Sequence, residues 1–299
     1  MSRKFKFSST VADYMKRFGK GEIHVEEKVD VKPDAAEAAV TEKKAVQEEH
    51  EASGKNAPAV ETEGVLVYAL TDVGKVRSSN QDALIVGEKV FGVADGMGGH
   101  KGGETASAGA RDGLIELLKD KTPALDTLRE AVSEVNTRLF NQQKMDDKLT
   151  GMGTTLTALW LSEHYVYVGH VGDSRAYRLR DGKLQQMTSD HSLVAELVRS
   201  GVLTEQQAAG HPMRNVITRA VGTEETVDVD LMVEERAKGD IWLVCSDGLY
   251  GLVSDNAMEA ILSVNTLEAA AKLLIEAALA AGGHDNVSVM LLQDKEGSR

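Results

Sequence analysis

Three apolar runs of β character in this 299-residue chain stop abruptly at an aspartate. Val90–Ala94 meets Asp95-Gly96, Tyr165–Val171 meets Gly172-Asp173, and Ile241–Cys245 meets Ser246-Asp247-Gly248. Two further aspartates, Asp82 and Asp285, stand just ahead of the runs Ala83–Val86 and Val287–Leu292. One Asp-Gly pair at a strand end is an ordinary turn, with glycine supplying a positive φ. Five such carboxylates are a stronger constraint. Strand ends carry loops mounted on a rigid scaffold, where catalytic groups are commonly placed. Converging carboxylates repel one another unless a cation joins them. An all-oxygen donor set, with no multi-thiolate option and few histidines nearby, points to Mg²⁺ or Mn²⁺ rather than zinc.

The order of elements places these residues in an α+β fold. Val65–Leu70, Thr155–Leu161 and Ala176–Leu179 complete the set of strand-like runs. The spacing predicts helices over Glu104–Lys121 and Leu125–Lys144, with Leu114 and Leu118 on one stripe and Leu128, Val132, Val135 and Leu139 on the other. A third helix, Leu267–Ala281, stops at Gly282-Gly283. Helices grouped outside sheet layers, rather than alternating with strands, exclude a parallel doubly wound sheet. Residues 191–225 are polar and broken by glycines, and they interrupt the strand pattern.

The formal charge of −13 argues against nucleic acid as the main partner, because phosphate backbones require a clustered positive surface. That charge is unevenly spread. Residues 1–20 carry a net +5 and hold Phe5, Phe7, Val11, Tyr14, Met15 and Phe18 at positions suited to a basic amphipathic arm. Such an arm docks a partner or a membrane surface, or is simply a loose terminus. Residues 21–63 carry a net −7, lack aromatic residues and show no sustained period, so they read as a disordered acidic linker. Residues 64–299 form the packed domain, with a net −11. The single cysteine, Cys245, lies inside an apolar run and is assigned to the core. It rules out an intrachain disulfide framework and fits a reducing, cytoplasmic setting.

The motifs themselves carry a resemblance. Thr71-Asp72-Val73-Gly74-Lys75-Val76-Arg77-Ser78-Ser79-Asn80-Gln81-Asp82 resembles the opening motif of the metal-dependent serine/threonine protein phosphatases of type 2C, bacterial branch. Asp95-Gly96-Met97-Gly98-Gly99-His100 with Gly103-Glu104-Thr105-Ala106-Ser107 is similar to the second motif. Gly153-Thr154-Thr155, Gly169-His170-Val171-Gly172-Asp173-Ser174-Arg175, Asp190-His191-Ser192, Ser246-Asp247-Gly248 and Asp285-Asn286-Val287-Ser288 follow in the family's order over about 64–293.

The resemblance implies a four-layer α/β/β/α sandwich, two central antiparallel sheets flanked by helices with a metal cleft at one edge. It also implies two Mn²⁺ or Mg²⁺ ions and a third, weaker one. Asp95 would bridge the two ions, with the Gly96 carbonyl on one and Asp247 and Asp285 on the other. Asp82 would act in the outer shell, and Asp173 would hold the third ion. The implied reaction is hydrolysis of phosphoserine and phosphothreonine in proteins by water held between the ions, opposing a bacterial serine/threonine kinase, in a chain expected to be a monomer. Arg77 is the candidate phosphate ligand, because a guanidinium pairs two phosphate oxygens at once. Where eukaryotic members carry a histidine two residues after the bridging aspartate, this chain has Met97. His100 is then the candidate general acid, with metal-held water as the alternative. Gln81 replaces the usual glutamate. The 191–225 stretch is either a mobile flap beside the cleft or a helical insertion packed on the sheet, and His191 and His284 are assigned to structure.

Overall fold

Uninterrupted apolar runs such as Ile241–Cys245 need apolar surroundings on both faces, and a pair of stacked sheets covered by helices supplies them. The computed structural model describes residues 57–62, 64–98 and 102–297. The basic arm, most of the acidic linker and His100 lie outside the described residues. One six-stranded antiparallel sheet runs β1-β2-β12-β11-β8-β9, from β1 (Ala57–Thr62), β2 (Val65–Asp72), β12 (Val287–Asp294), β11 (Ile241–Cys245), β8 (Arg175–Arg180) and β9 (Lys183–Gln186). The second runs β10-β7-β6-β4-β3, from β10 (Asp230–Glu235), β7 (Tyr165–Val171), β6 (Leu156–Leu161), β4 (Val90–Met97) and β3 (Asp82–Val86). The two-residue β5 (Gly153–Thr154) pairs with the end of β4.

Alternate residues of each strand enter different cores. Val65, Val67 and Ala69 of β2, Trp242 and Val244 of β11, and Met290 and Leu292 of β12 meet Phe91, Val93, Leu159 and Val168 between the sheets. Ile241, Leu243, Val289 and Leu291 point the other way, toward helices α6 (Asp255–Val264) and α7 (Leu267–Ala280). Val90, Ala94, Leu156 and Trp160 pack beneath α1 (Gly102–Leu118) and α2 (Leu125–Met145). The result is the α/β/β/α order, with a core on each side of each sheet. Both faces of the central strands are dry, so those strands read as continuous rather than alternating runs.

The strands without an apolar run were not placed by the sequence reading, and neither was helix α6, which has one. Strands β9 and β10 lie at sheet edges and keep an exposed face, so polar residues suffice there. Strand β1 falls inside the stretch read as linker. It pairs antiparallel with β2 as an edge strand, a position that tolerates Pro58 because one side of the strand needs no N–H donor. Residues 191–225 hold two short helices, α3 (Leu193–Arg199) and α4 (Glu205–Ala209), over a small cluster of Leu193, Leu197 and Leu203. Another short helix, α5 (Asp247–Tyr250), follows β11.

Trp242 is 1% exposed at the centre of the inter-sheet layer. Replacing Trp242 with Ala is expected to cost about 3–5 kcal/mol, measured by urea unfolding at fixed metal concentration.

Candidate metal centre

Strand pairing gathers the five aspartates at one end of the sandwich. Asp82 and Asp95 are direct cross-strand partners in the β3–β4 ladder. Asp247 follows the end of β11 and Asp285 precedes the start of β12, and these two strands are hydrogen-bonded neighbours. Asp173 sits between β7 and β8, where Arg175 pairs with Cys245 two residues ahead of Asp247. Carboxylates directly opposite on an antiparallel pair lie only about 4.5–5.5 Å apart at Cβ, and like charges there are destabilising.

The electrostatics record that crowding. The Asp95 carboxyl is pushed well above the usual range by burial, and then by the charges of Asp82, Asp247, Asp173 and Asp285. Burial, followed by Asp173, Asp285 and Asp82, raises Asp247 to about 8. Burial and then Asp190 raise Asp173 to about 7. Asp82 is raised by burial and by Asp285, against the lowering effect of its hydroxyl donors. Ser246 Oγ and Ser288 Oγ both donate to Asp82 Oδ2, at 2.7 and 2.6 Å. Behind Ser288, Thr71 Oγ1 donates to its hydroxyl at 2.7 Å, and Asn80 Nδ2 donates to Thr71 at 2.7 Å. This one-way relay turns an Asp82 acceptor oxygen toward fixed donors. The other oxygen, Oδ1, is buried with no hydrogen-bond partner among the described residues.

An unsatisfied carboxylate oxygen beside mutually repelling acids fits a cation. Among the described residues no group of three or more His, Cys, Asp or Glu side chains is itself an ion cage. A hard divalent ion of the Mg²⁺ type does not need one. It retains several waters and takes only one or two carboxylates directly. Gly96, next to Asp95, cannot be larger. A Cβ there would lie 2.1 Å from the carbonyl oxygen of Gly103, which opens α1.

Arg77 is held at the mouth of this centre, half exposed. Its Nη2 donates to Asp285 Oδ2 at 2.7 Å, and that pairing holds the guanidinium above its ordinary value. The loop carrying it is clamped from below by Asn286, whose role the sequence left unassigned. Asn286 Nδ2 donates to the carbonyls of Val73 and Ser79, at 2.9 and 3.0 Å, and Oδ1 accepts from the Gln81 N–H at 2.8 Å. Gly74, at φ +77°, lets the same loop close on Asp285, since a Cβ would stand 2.2 Å from the Asp285 carbonyl oxygen. Gln81 lies beside Gly103 and donates no negative charge to the centre.

A second clamp holds Asp173. Arg175 is bidentate to Asp190, at 2.9 and 2.8 Å, and stacks 3.7 Å over the ring of Tyr250. Tyr250 Oη donates to the Asp173 carbonyl at 2.9 Å. These contacts tie β8, α5 and the entry to the 191–225 insertion into one rigid corner. His191 anchors that entry: its Nδ1 accepts from the Gly172 N–H at 3.0 Å, which puts its own N–H on Nε2, 3.1 Å from Asp230 Oδ2. Burial lowers its basicity. Cys245 is fully buried, and burial pushes its thiol well up, so it supplies no nucleophile.

Raised carboxyl pKa values make the sign of the pH effect definite. The ionised forms of Asp173 and Asp247 are disfavoured in the folded state, so metal-free stability falls as pH rises from about 4 through 7 and 8. The melting temperature in chelator is therefore expected to be lower at pH 9 than at pH 6. Asp247→Asn should shrink that difference, by about 2–4 °C for each kcal/mol of repulsion removed, as read by calorimetry.

The sequence pattern of the family described as Protein phosphatase 2C matches residues 75–280. The serine/threonine phosphatase stp of Listeria monocytogenes is 40% identical over 235 residues, covering 75% of this chain and 93% of that protein. The serine/threonine protein phosphatase PstP of Mycobacterium tuberculosis is 42% identical over 231 residues, covering 76% of this chain and 45% of PstP. The crystal structure of that Mycobacterium tuberculosis phosphatase matches with a TM-score of 0.74 at 39% identity, over 78% of this chain and 99% of the crystallised one. The PstP catalytic domain in complex with two manganese ions matches with a TM-score of 0.72 at 38% identity, over 78% of this chain and 99% of that one. With its aspartate centre, its two-sheet sandwich and a family match over most of its length, the chain belongs to the protein phosphatase 2C family.

Proposed function

We propose that the chain removes phosphate from phosphoserine and phosphothreonine in proteins, using two Mn²⁺ or Mg²⁺ ions at the aspartate centre. Asp95, the Gly96 carbonyl, Asp247 and Asp285 would hold the pair, with Asp82 in the outer shell and Asp173 holding a third, weaker ion. The observation that carries this reading is the convergence of five carboxyl groups at one end of the sandwich, four of them raised in pKa and one with a buried oxygen that receives no hydrogen bond among the described residues. When bound, the ions supply Lewis acidity that acidifies water and offsets charge on the phosphoryl group.

The chain's own residues do the rest. Ser246 and Ser288 hold Asp82 through Oδ2, which leaves Oδ1 as the oxygen with no hydrogen bond. Arg77 waits on Asp285. With that carboxylate held by a cation, the Arg77 guanidinium would be available to pair two oxygens of an incoming phosphate, which a lysine cannot do. Met97 has no proton to give, so His100 is the imidazole proposed to protonate the departing serine or threonine oxygen. The 191–225 insertion, tied through Asp190 to the corner that holds Asp173, would sort peptide substrates. No described helix is long and apolar enough to cross a membrane. In this reading the enzyme is a cytoplasmic monomer that opposes a serine/threonine kinase, and the basic arm at residues 1–20 would dock a partner or a membrane surface.

The test is Mn²⁺-dependent phosphate release from a phosphothreonine peptide. Asp95→Ala should abolish it, and activity surviving that change would sink the assignment. Arg77→Lys should lower kcat/KM about 10–100-fold, the equivalent of one charge-assisted hydrogen bond of about 1.5–3 kcal/mol. His100→Ala should steepen the dependence of rate on leaving-group pKa across a series of aryl phosphates, and an unchanged slope would remove His100 from the acid role.

A further inference from the structure

A buried asparagine far from the five aspartates, Asn136 on the inner face of α2, makes an unusual set of contacts. It is 1% exposed and sits in the middle of a helix, where asparagine is a poor helix former. Its amide is fully used, and every partner lies on the return leg of the 191–225 insertion. Nδ2 donates to the carbonyls of Glu224 and Glu225, at 3.0 and 3.2 Å. Oδ1 accepts from the Gly222 N–H at 2.7 Å. Two turns along the same helix, Gln143 Nε2 donates to the Gly222 carbonyl, and Gln143 Oε1 accepts from the Gly151 N–H at 3.1 Å.

These contacts continue to the metal centre through the backbone of Val221 and Thr154 and through the two threonine hydroxyls. Val221, next to Gly222, exchanges both backbone hydrogen bonds with Thr154 of β5, at 2.8 and 3.0 Å. Thr154 Oγ1 and the Thr155 N–H both donate to the Asp95 carbonyl, at 3.0 and 2.9 Å, and Thr155 Oγ1 accepts from the Asp95 N–H at 2.9 Å. Thr154 also pairs with Gly96. Three links therefore separate the Asn136 amide from the backbone of the residue that would bridge the metal ions.

We propose that Asn136 is a positioning residue that fixes the return leg of the insertion and the Asp95–Gly96 segment as one unit. Substrate selection by the insertion and the setting of the metal centre are then coupled, because both hang on the Val221–Thr154 rung. A leucine of similar size at this position leaves Gly222, Glu224 and Glu225 with unmet backbone groups. The rung then opens locally rather than with the whole domain. The inference rests on the metal-binding role proposed for Asp95, and amide exchange reads it separately from any activity.

The experiment compares wild type with Asn136→Leu by hydrogen exchange, Mn²⁺ titration calorimetry and steady-state kinetics. Asn136→Ala, which adds neither bulk nor charge, serves as the milder variant should the leucine fail to fold. Exchange at Thr154, Val221 and Gly222 is expected to quicken about tenfold or more, with β11 and β12 unchanged. The Mn²⁺ dissociation constant should rise several-fold. The ratio of kcat/KM on a phosphothreonine peptide to that on p-nitrophenyl phosphate should fall. Exchange that rises uniformly, in step with a lower melting temperature, overturns the proposal. So does a local change in exchange accompanied by wild-type Mn²⁺ affinity and a wild-type substrate ratio, since Asn136 would then be purely structural.

Discussion

Repulsion among carboxylates crowded at one end of the sandwich is the constraint to which the surrounding structure answers. Asp82 and Asp95 face each other across a ladder rung, and Asp247 and Asp285 leave neighbouring strands at the same end. Left to themselves these groups would separate or take up protons, and the upward displacement of four of their pKa values reports that tendency. They stay together because each is mounted on a strand whose two faces are locked in separate apolar cores. The stability of the sandwich thus offsets a locally unfavourable centre, the usual relation between a scaffold and an active site.

The polar groups nearest the centre hold direction rather than supply bulk stability. The relay Asn80 to Thr71 to Ser288 to Asp82 has one donor sense throughout, so it orients a carboxylate without bringing further charge to the site. Asn286 and Arg175 act at larger scale. One clamps the loop that carries Arg77; the other ties Asp190 and Tyr250 into the corner beside Asp173. Glycine sets how closely the pieces approach. Neither Gly74 nor Gly96 can accept a Cβ without meeting backbone near 2 Å.

Much of this arrangement was legible in the chain before folding. The apolar runs that end in Asp95, Asp173 and Asp247 announced both the central strands and the edge where the acids gather. The third helix stopped at Gly282-Gly283 as read. The edge strands β9 and β10 were silent, because a half-exposed edge needs no apolar run. Strand β1 was hidden within an acidic, aromatic-free stretch, and its pairing with β2 depends on a partner edge rather than on local composition. Asn136, Arg175 and Asn286 gave no local signal of their roles. Asn286 bonds to residues more than 200 positions away, and Asn136 to residues more than 80 away.

The division follows from the range of the forces involved. Hydrophobic periodicity and turn chemistry act over a few residues, so the sequence by itself determined the buried strands, the principal helices, the α+β class and the identity of the acids at the strand ends. Cross-strand register and side-chain hydrogen bonds act between segments brought together only by packing. The pairing of Asp82 with Asp95, the lodging of Arg77 on Asp285 and the link from Asn136 to Asp95 were therefore decided by the tertiary structure alone.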